Sequence, residues 1–428
     1  MLNRTIAPNI TDAVAFDLKL PVYNKQVLRN GVEVYEINLG TQDTLMVNWV
    51  FNAGNWFEEK NLVAAAANYM LKNGTSQKNA LAINEHFEYF GSHLNRSCQN
   101  ETAEITLHCL TKHVQELLPV VAELISDSVL PEDELNIFKK NMQQRLQVSL
   151  MKNDFVAGRL IDASVFGANH PYGKYSSKED YAALQQNELK QFYQHYYQNG
   201  RCVIFVAGKL PADIISQLDN SFGGLSLKPL TSAYDWNKHP ISPAQERKNS
   251  VINDPNGIQG AIRIARNFPN RHHPDFQKVQ VLNNIFGGFF GSRLMANIRE
   301  DKGYTYGIYS YLLNQMQESA WMISTEAGKE VSEATIQEVY KEMKNLREEP
   351  VDAEELQTTR NAMIGTILGD LDGPFQVLGR WKNILLNNLD ENYFYQGMNT
   401  IRSITPLDLQ ELANKYLQPN DFYELVVF

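Results

Sequence analysis

The chain has 428 residues, of which 43% are hydrophobic and 21% are charged, and its formal net charge is -10. This length exceeds the size at which one hydrophobic core stops growing, so the sequence predicts at least two globular domains. The negative charge argues against nucleic acid as a partner, because nucleic acids are bound mainly through clustered Lys and Arg. Three cysteines are too few to form a disulfide framework.

The start of the chain and its hydropathy pattern predict a soluble protein with no membrane span. The first 18 residues contain no continuous apolar segment behind a basic one, and no stretch of the chain approaches eighteen apolar residues. We therefore expect a cytoplasmic protein if Met1 is the natural start, and a periplasmic one if a signal peptide has been removed.

The first half of the chain alternates between strand and helix patterns. The segment ETAEITLHCL places apolar residues at every second position, which predicts an antiparallel sheet with one covered face. Gly91 is expected to end the helix that precedes this strand. The predicted strands cover 31–40, 44–54 and 101–110, and the predicted helices cover 79–90, 114–129 and 133–151.

The second half repeats the first with an offset of about 220 residues. The helix-turn-strand pattern ELKQFYQHYYQNGRCVIFV at 188–206 recurs as DLQELANKYLQPNDFYELVV at 408–427. The repeat predicts two homologous α+β domains, each an antiparallel sheet with helices packed on one face. We place the domains at 1–227 and 248–428, joined by a proline-containing linker at 228–247.

The segment at 62–75 reads LVAAAANYMLKNGT. It resembles the signature helix of the M16 (pitrilysin and mitochondrial-processing-peptidase) zinc peptidases, in which H-x-x-E-H precedes an apolar pair and Gly-Thr. The three functional positions of that motif hold Ala65, Asn68 and Tyr69 in this chain. The resemblance extends over essentially the whole chain and implies two M16-type domains.

We expect that this motif no longer binds zinc. A zinc helix needs two imidazoles four residues apart with a carboxylate beside them, whereas Ala65 has no donor atom and Asn68 carries a neutral amide. Tyr69 would have to lose its proton far below its reference pKa of about 10. The resemblance implies a third ligand, a Glu within 141–152, but that stretch contains no acid and Gln147 lies near the expected place. We expect no catalytic residue, metal or other cofactor in this chain.

The segment at 286–309, FGGFFGSRLMANIREDKGYTYGIY, resembles the signature of the C-terminal domain of the M16 family. The resemblance implies that Arg299 and Tyr306 bind the substrate backbone. Gly303 is expected to end the helix between them, so that the following strand brings Tyr306 back toward Arg299. Alternatively, Arg299 pairs with Glu300 or Asp301 in solvent and Tyr306 is one of several strand aromatics. The GGFFG run is too short and too apolar to bind phosphate. The retained positions are Gly287, Gly288, Ser292, Arg293, Leu294, Arg299, Gly303 and Tyr306.

The resemblance implies a function for a chain that keeps this pair and lacks zinc. Our leading hypothesis is a non-catalytic, substrate-positioning subunit of a two-chain peptidase. Its partner in the heterodimer would be an M16 subunit with an intact H-x-x-E-H, which would bring the zinc, and its substrate would be a peptide. A structural or scaffold subunit with no role in proteolysis is the alternative. A homodimer that captures peptides is a third possibility.

Overall fold

The computed structural model describes residues 11–231 and 235–428. The first ten residues, on which the expectation about a signal peptide partly rests, and residues 232–234 of the predicted linker lie outside the described residues. The chain divides into two compact units. The N-terminal unit contains Pro21–Ala244 and Asp372–Leu389, and the C-terminal unit contains Gln245–Leu371, Asp390–Phe428 and the segment that ends at Leu20.

The N-terminal unit is built on a mixed sheet. Its strand order is β1-β2-β6-β3-β5-β4, and the short β7 pairs with β6. The pairs β2–β6 and β6–β7 are parallel, and the other pairs are antiparallel. These strands are β1 Asn24–Val27, β2 Glu33–Asn38, β3 Thr44–Phe51, β4 His93–Cys98, β5 Ala103–Leu110, β6 Arg201–Gly208 and β7 Lys228–Pro229.

Helices cover the apolar face of this sheet. In β5 the side chains of Ala103, Ile105 and Leu107 are buried in the core with Trp49 and Phe51 of β3, which confirms the alternation in the sequence. The helices of this unit are α1 Val63–Met70, α2 Ala80–Tyr89, α3 Val114–Asp127, α4 Glu132–Leu150, α5 Asn153–Phe166, α6 Lys178–Ala183, α7 Gln186–Tyr193, α8 Ile214–Phe222 and, from the exchanged segment, α12 Pro374–Leu386.

Helix α2 begins and ends where its sequence predicts. The side chain of Asn79 accepts a hydrogen bond from the backbone N–H of Ala82 at 2.9 Å, which satisfies a donor of the first turn. Gly91 follows the helix with φ of 58°, a conformation that favours glycine, as predicted.

Helix α12 covers the opposite face of the sheet, although it lies far along the sequence. Lys382 Nζ is 2.7 Å from Glu104 Oε2 and 3.3 Å from Asn48 Oδ1, and both partners point away from the Ile105 side of the sheet. The ring of Phe375 packs edge-on against His108 at 5.7 Å. The sequence did not predict this second layer of helix, because its local periodicity does not say which sheet a distant helix joins.

The C-terminal unit repeats this architecture on a smaller sheet. The strand order is β10-β11-β9-β12-β8, with β12–β8 parallel and the other pairs antiparallel. Trp321, Phe268 and Phe286 are fully buried between sheet and helices. The strands are β8 Lys248–Val251, β9 Gln259–Phe268, β10 Ile308–Leu312, β11 Ser319–Gly328 and β12 Tyr423–Val427, and the helices are α9 Phe276–Asn283, α10 Ser332–Glu348, α11 Ala353–Gly369, α13 Glu391–Ser403 and α14 Pro406–Tyr416.

The predicted α+β class with two similar domains is confirmed. The prediction that both sheets are purely antiparallel needs a correction. Each sheet contains parallel pairing, which its strand patterns did not predict. Within the described ranges no helix combines the length and apolar character that crossing a bilayer requires.

Candidate functional site

Helix α1 carries the degenerate zinc motif, and its central residue is part of the core. The Asn68 side chain is buried, and its Nδ2 donates to the Tyr197 hydroxyl at 3.0 Å and to the Glu104 carbonyl oxygen at 3.4 Å. Burial raises the pKa of Tyr197 well above its usual range, so that phenol stays neutral. Asn68 therefore joins α1 to β5 and to the segment after α7 that contains Tyr197. Its neutral amide cannot serve as a general base.

An aromatic and cationic cluster lies next to Asn68. The Tyr69 ring packs against Phe138 of α4, with centroids 4.7 Å apart, and the Arg96 guanidinium carbon lies 5.1 Å from the centroid of Tyr69. Arg96 Nη1 also donates to the backbone carbonyl oxygen of Tyr69. A permanent positive charge thus lies against the helix position that would hold a metal ligand in an intact motif.

The structure does not assemble a metal site from the remaining candidates. Gln147 is exposed on α4 and makes no hydrogen bond to Ala65, Asn68 or Tyr69 in the part of the chain that the structure describes. Across residues 11–231 and 235–428, no three His, Cys, Asp or Glu side chains lie close enough together to hold a metal ion. The donor set at α1 does not fit zinc, because it offers an amide and a phenol beside a guanidinium.

The second candidate site lies in the C-terminal unit, where a π-helical segment, Met295–Asp301, precedes a tight turn. Such segments are rare in proteins, and a large share of those that exist lie at functional sites. Gly303 ends the segment with φ of 65°, as predicted, and the chain then turns back before β10 begins. This path brings Tyr306 to Arg299, as the sequence predicted. The Tyr306 side chain is 91% exposed.

The Arg299 guanidinium lies between two exposed aromatic rings. Its central carbon is 4.6 Å from the ring centroid of Phe290 and 5.6 Å from that of Tyr306. No ion pair involves Arg299 in the described residues, and Asp301 instead pairs with Lys302 at 3.1 Å. The alternative that Arg299 pairs with Glu300 or Asp301 is therefore wrong.

Polar contacts fix the segment that carries Arg299. Asn297 Nδ2 donates to Glu342 Oε1 at 2.7 Å and to Glu338 Oε2 at 2.9 Å, both on α10. Arg293 binds both carboxylate oxygens of Glu355 on α11, at 2.7 and 2.8 Å. These contacts hold the backbone that leads into Arg299, whose own guanidinium lies against the rings of Phe290 and Tyr306.

The contribution of Phe290 was missed in the sequence. The composition of the GGFFG run argues only against phosphate binding, whereas in the structure Phe290 of that run is 61% exposed. An aromatic residue between glycines, a few positions before a signature arginine, was the available signal. Together Arg299, Tyr306 and Phe290 offer a planar set of cationic donors, a phenol donor and an apolar surface. Such a set suits carbonyl oxygens and the flat peptide backbone.

Comparisons with known proteins identify the family. Residues 34–170 match the model described as insulinase (peptidase family M16), and residues 183–363 match the model described as the peptidase M16 inactive domain. Together these two matches extend over most of the chain.

Several relatives are similar over much of their length. The "Uncharacterized zinc protease YmxG" of Bacillus subtilis is 26% identical and aligns over 84% of this chain and 87% of its own. The "Non-peptidase homolog YmxG" of Helicobacter pylori is 22% identical and aligns over 89% of this chain and 88% of its own. A probable mitochondrial-processing peptidase subunit beta of Arabidopsis thaliana is 23% identical and aligns over 64% of this chain and 52% of its own.

A solved structure shares the fold. The crystal structure of a peptidase M16 inactive domain from Pseudomonas fluorescens superposes with a TM-score of 0.82 and 22% sequence identity, over 95% of this chain and 98% of that one. The family models, the relatives and this fold agree with the two signatures in the sequence. The chain belongs to the M16 peptidase family.

Proposed function

We propose that this chain is a non-catalytic subunit of a two-chain M16 peptidase, in which it positions the peptide substrate. The observation that carries the proposal is the exposed arrangement of Arg299 between Phe290 and Tyr306. It keeps a cation without an ion-pair partner available to a ligand, while the zinc motif of the same chain is replaced by Ala65, Asn68 and Tyr69.

The chemistry of this pair suits an oxygen that gains negative charge. Zinc in the active site of the partner would polarise the scissile carbonyl group. Arg299 and Tyr306 would add hydrogen-bond donors to the same oxygen or to the neighbouring peptide backbone, without a proton transfer of their own. The division of labour assigns metal, ligands and general base to the partner, and substrate positioning to this chain.

An extended peptide would be held mainly through its backbone. Strand β4 is an edge of its sheet and pairs only with β5 among the described strands. Addition of a peptide as a further strand gives main-chain hydrogen bonds with little sequence preference. The name of the Helicobacter pylori relative, a non-peptidase homologue, and that of the Arabidopsis relative, a subunit, are consistent with this assignment.

The test is reconstitution with an M16 subunit that carries an intact H-x-x-E-H, for which genes adjacent to this one are the first source. We expect zinc and hydrolysis of a quenched fluorescent peptide only in the pair. Arg299→Ala in this chain should abolish hydrolysis while leaving assembly intact. Lys344→Ala, which removes the same charge from the exposed face of α10, serves as the matched control.

Two outcomes would contradict the proposal. Stoichiometric zinc and chelator-sensitive hydrolysis in this chain alone would show that it is itself an enzyme. Full activity of the pair with Arg299→Ala would instead favour a scaffold role.

A further inference from the structure

Arg96 is a half-buried cation on edge strand β4 that no carboxylate neutralises. Its Nη1 donates to the Tyr69 carbonyl oxygen, its Nε is buried without a hydrogen-bond partner, and no ion pair involves it in the described parts of the chain. The C-terminal end of α1 lies nearby and supplies about half a negative charge. The remainder of the positive charge is uncompensated, which is costly for a group removed from water.

A second cation reinforces this positive region. Lys72 follows α1, and its Nζ lies over the Phe87 ring at 5.7 Å without an ion pair in the described residues. Burial lowers the pKa of Lys72, and repulsion from Arg96 lowers it further, while Glu88 partly opposes the shift. Lys72 lies two residues beyond the C-terminal end of α1, so it adds a second positive charge to the end of the helix whose Tyr69 carbonyl oxygen binds Arg96.

We infer that Arg96, assisted by Lys72 and Tyr69, forms an anion subsite for a carboxylate of an extended peptide bound along β4. This inference rests on the proposed function. It adds that the substrate carries an acidic group near the place where an intact motif would hold zinc. An acidic side chain and a C-terminal carboxylate share this chemistry.

Three features of the region favour a peptide carboxylate. Arg96 projects from the edge strand itself, so a peptide paired with β4 passes beside it. Tyr69 is 40% exposed, and its ring, which packs at a tilt against Phe138, supplies an apolar surface next to the guanidinium. A carboxylate accepts charge-assisted hydrogen bonds from a guanidinium, and these are stronger than those between neutral groups.

The experiment measures binding of fluorescent ten-residue peptides to the purified chain by anisotropy. One matched pair differs by a central Asp or Asn, and a second pair differs by a C-terminal carboxylate or amide. We expect the acidic member of one pair to bind about tenfold more tightly, the range of one charge-assisted hydrogen bond. A preference within the first pair of peptides identifies an acidic side chain as the bound group, and a preference within the second pair identifies the C-terminal carboxylate.

The central variant is Arg96→Gln, which removes the charge and keeps a donor for the Tyr69 carbonyl oxygen. It should abolish the acidic preference, and Lys344→Gln should preserve it. If Arg96→Gln does not fold, Lys72→Gln provides the same test, with the preference expected to fall about threefold. A preference that persists in the folded Arg96→Gln variant overturns the inference.

The remaining outcomes separate this inference from the proposed function. Equal binding of both members of each pair, or no binding at all, overturns the subsite. Hydrolysis by the reconstituted pair that still depends on Arg299 then leaves the proposed function standing. Loss of that dependence overturns the proposed function.

Discussion

The Arg299 guanidinium carbon lies 5.6 Å from the ring centroid of Tyr306, although seven positions separate the two residues in the sequence. The turn at Gly303 makes this approach possible, since φ of 65° is costly for a residue with a Cβ atom. Tyr306 remains 91% exposed, so burial alone does not explain its position. Among the described residues neither side chain has a hydrogen-bond or ion-pair partner, so the donors of Arg299 and Tyr306 remain available to a ligand.

The hydroxyl group of Tyr306 can be tested separately from its ring. Tyr306→Phe keeps the ring beside Arg299 and removes one donor, so we expect kcat/KM of the reconstituted pair to fall about tenfold. The control is Tyr309→Phe, which removes a hydroxyl from an exposed strand tyrosine that does not contact Arg299. Equal losses in both variants would argue against a specific role for Tyr306.

The contact of Lys382 with the sheet should contribute to stability. Lys382→Met leaves Glu104 and Asn48 without their cation, and we expect the free energy of unfolding to fall by about 1–3 kcal/mol. For a unit of this size this corresponds to a fall in Tm of about 2–4 °C per kcal/mol. The double variant Lys382→Met/Glu104→Gln should recover part of the loss, because no carboxylate is then left unpaired. A double variant less stable than the single one would show that the pair is not the cause.

From the surroundings of His108 we predict that the stability of the folded chain depends on pH. Burial between β5 and α12, and then repulsion from His93, lower the pKa of His108 below 6.5 in the folded chain. The unfolded chain therefore binds the proton more readily, so stability falls as the pH drops below about 6.5 and is unaffected above it. His108→Gln should lack this component. We expect the Tm difference between variant and parent to shift in favour of the variant from pH 7.5 to pH 5.5, and a constant difference would contradict the prediction.

Restoring the zinc motif alone should not restore zinc. The variant Ala65→His/Asn68→Glu/Tyr69→His, combined with Gln147→Glu, supplies ligands but leaves the Arg96 cation beside them. We expect substoichiometric zinc by elemental analysis after dialysis, and more when Arg96→Ala is added. The Asn68→Glu change also removes the hydrogen bond to Tyr197, so thermal unfolding must show that each variant is folded. Full zinc occupancy with Arg96 present would contradict the prediction.

The local sequence predicted features that depend on nearby residues. The alternation in β5, the cap of α2 at Gly91 and the approach of Arg299 and Tyr306 through Gly303 all follow from backbone preferences within a few positions. The domain boundaries at 227 and 248 stay a prediction, although part of the predicted linker packs on the N-terminal unit, where His239 Nε2 lies 2.9 Å from the Trp56 carbonyl oxygen.

The features that the sequence did not predict depend on distant partners. The parallel pairing of β2 with β6 joins segments about 170 residues apart, and no periodicity within either strand records it. The contact between Phe290 and Arg299 depends on the path that the glycine-containing segment takes through the fold, which the local sequence does not specify. The surroundings of Arg96 also depend on distant residues, because the carbonyl oxygen that it binds belongs to Tyr69 of α1, 27 positions earlier in the sequence.

The exchange of segments between the units limits how this gene can be divided. A fragment that ends at Ala244 would fold without Asp372–Leu389 and would expose the sheet face that carries Asn48, Glu104 and His108. The complementary fragment would lack the segment ending at Leu20, whose Val14 carbonyl oxygen accepts a hydrogen bond from Arg402. Each half of the chain therefore carries a segment that packs in the other unit, so we expect neither half to fold completely when it is expressed alone.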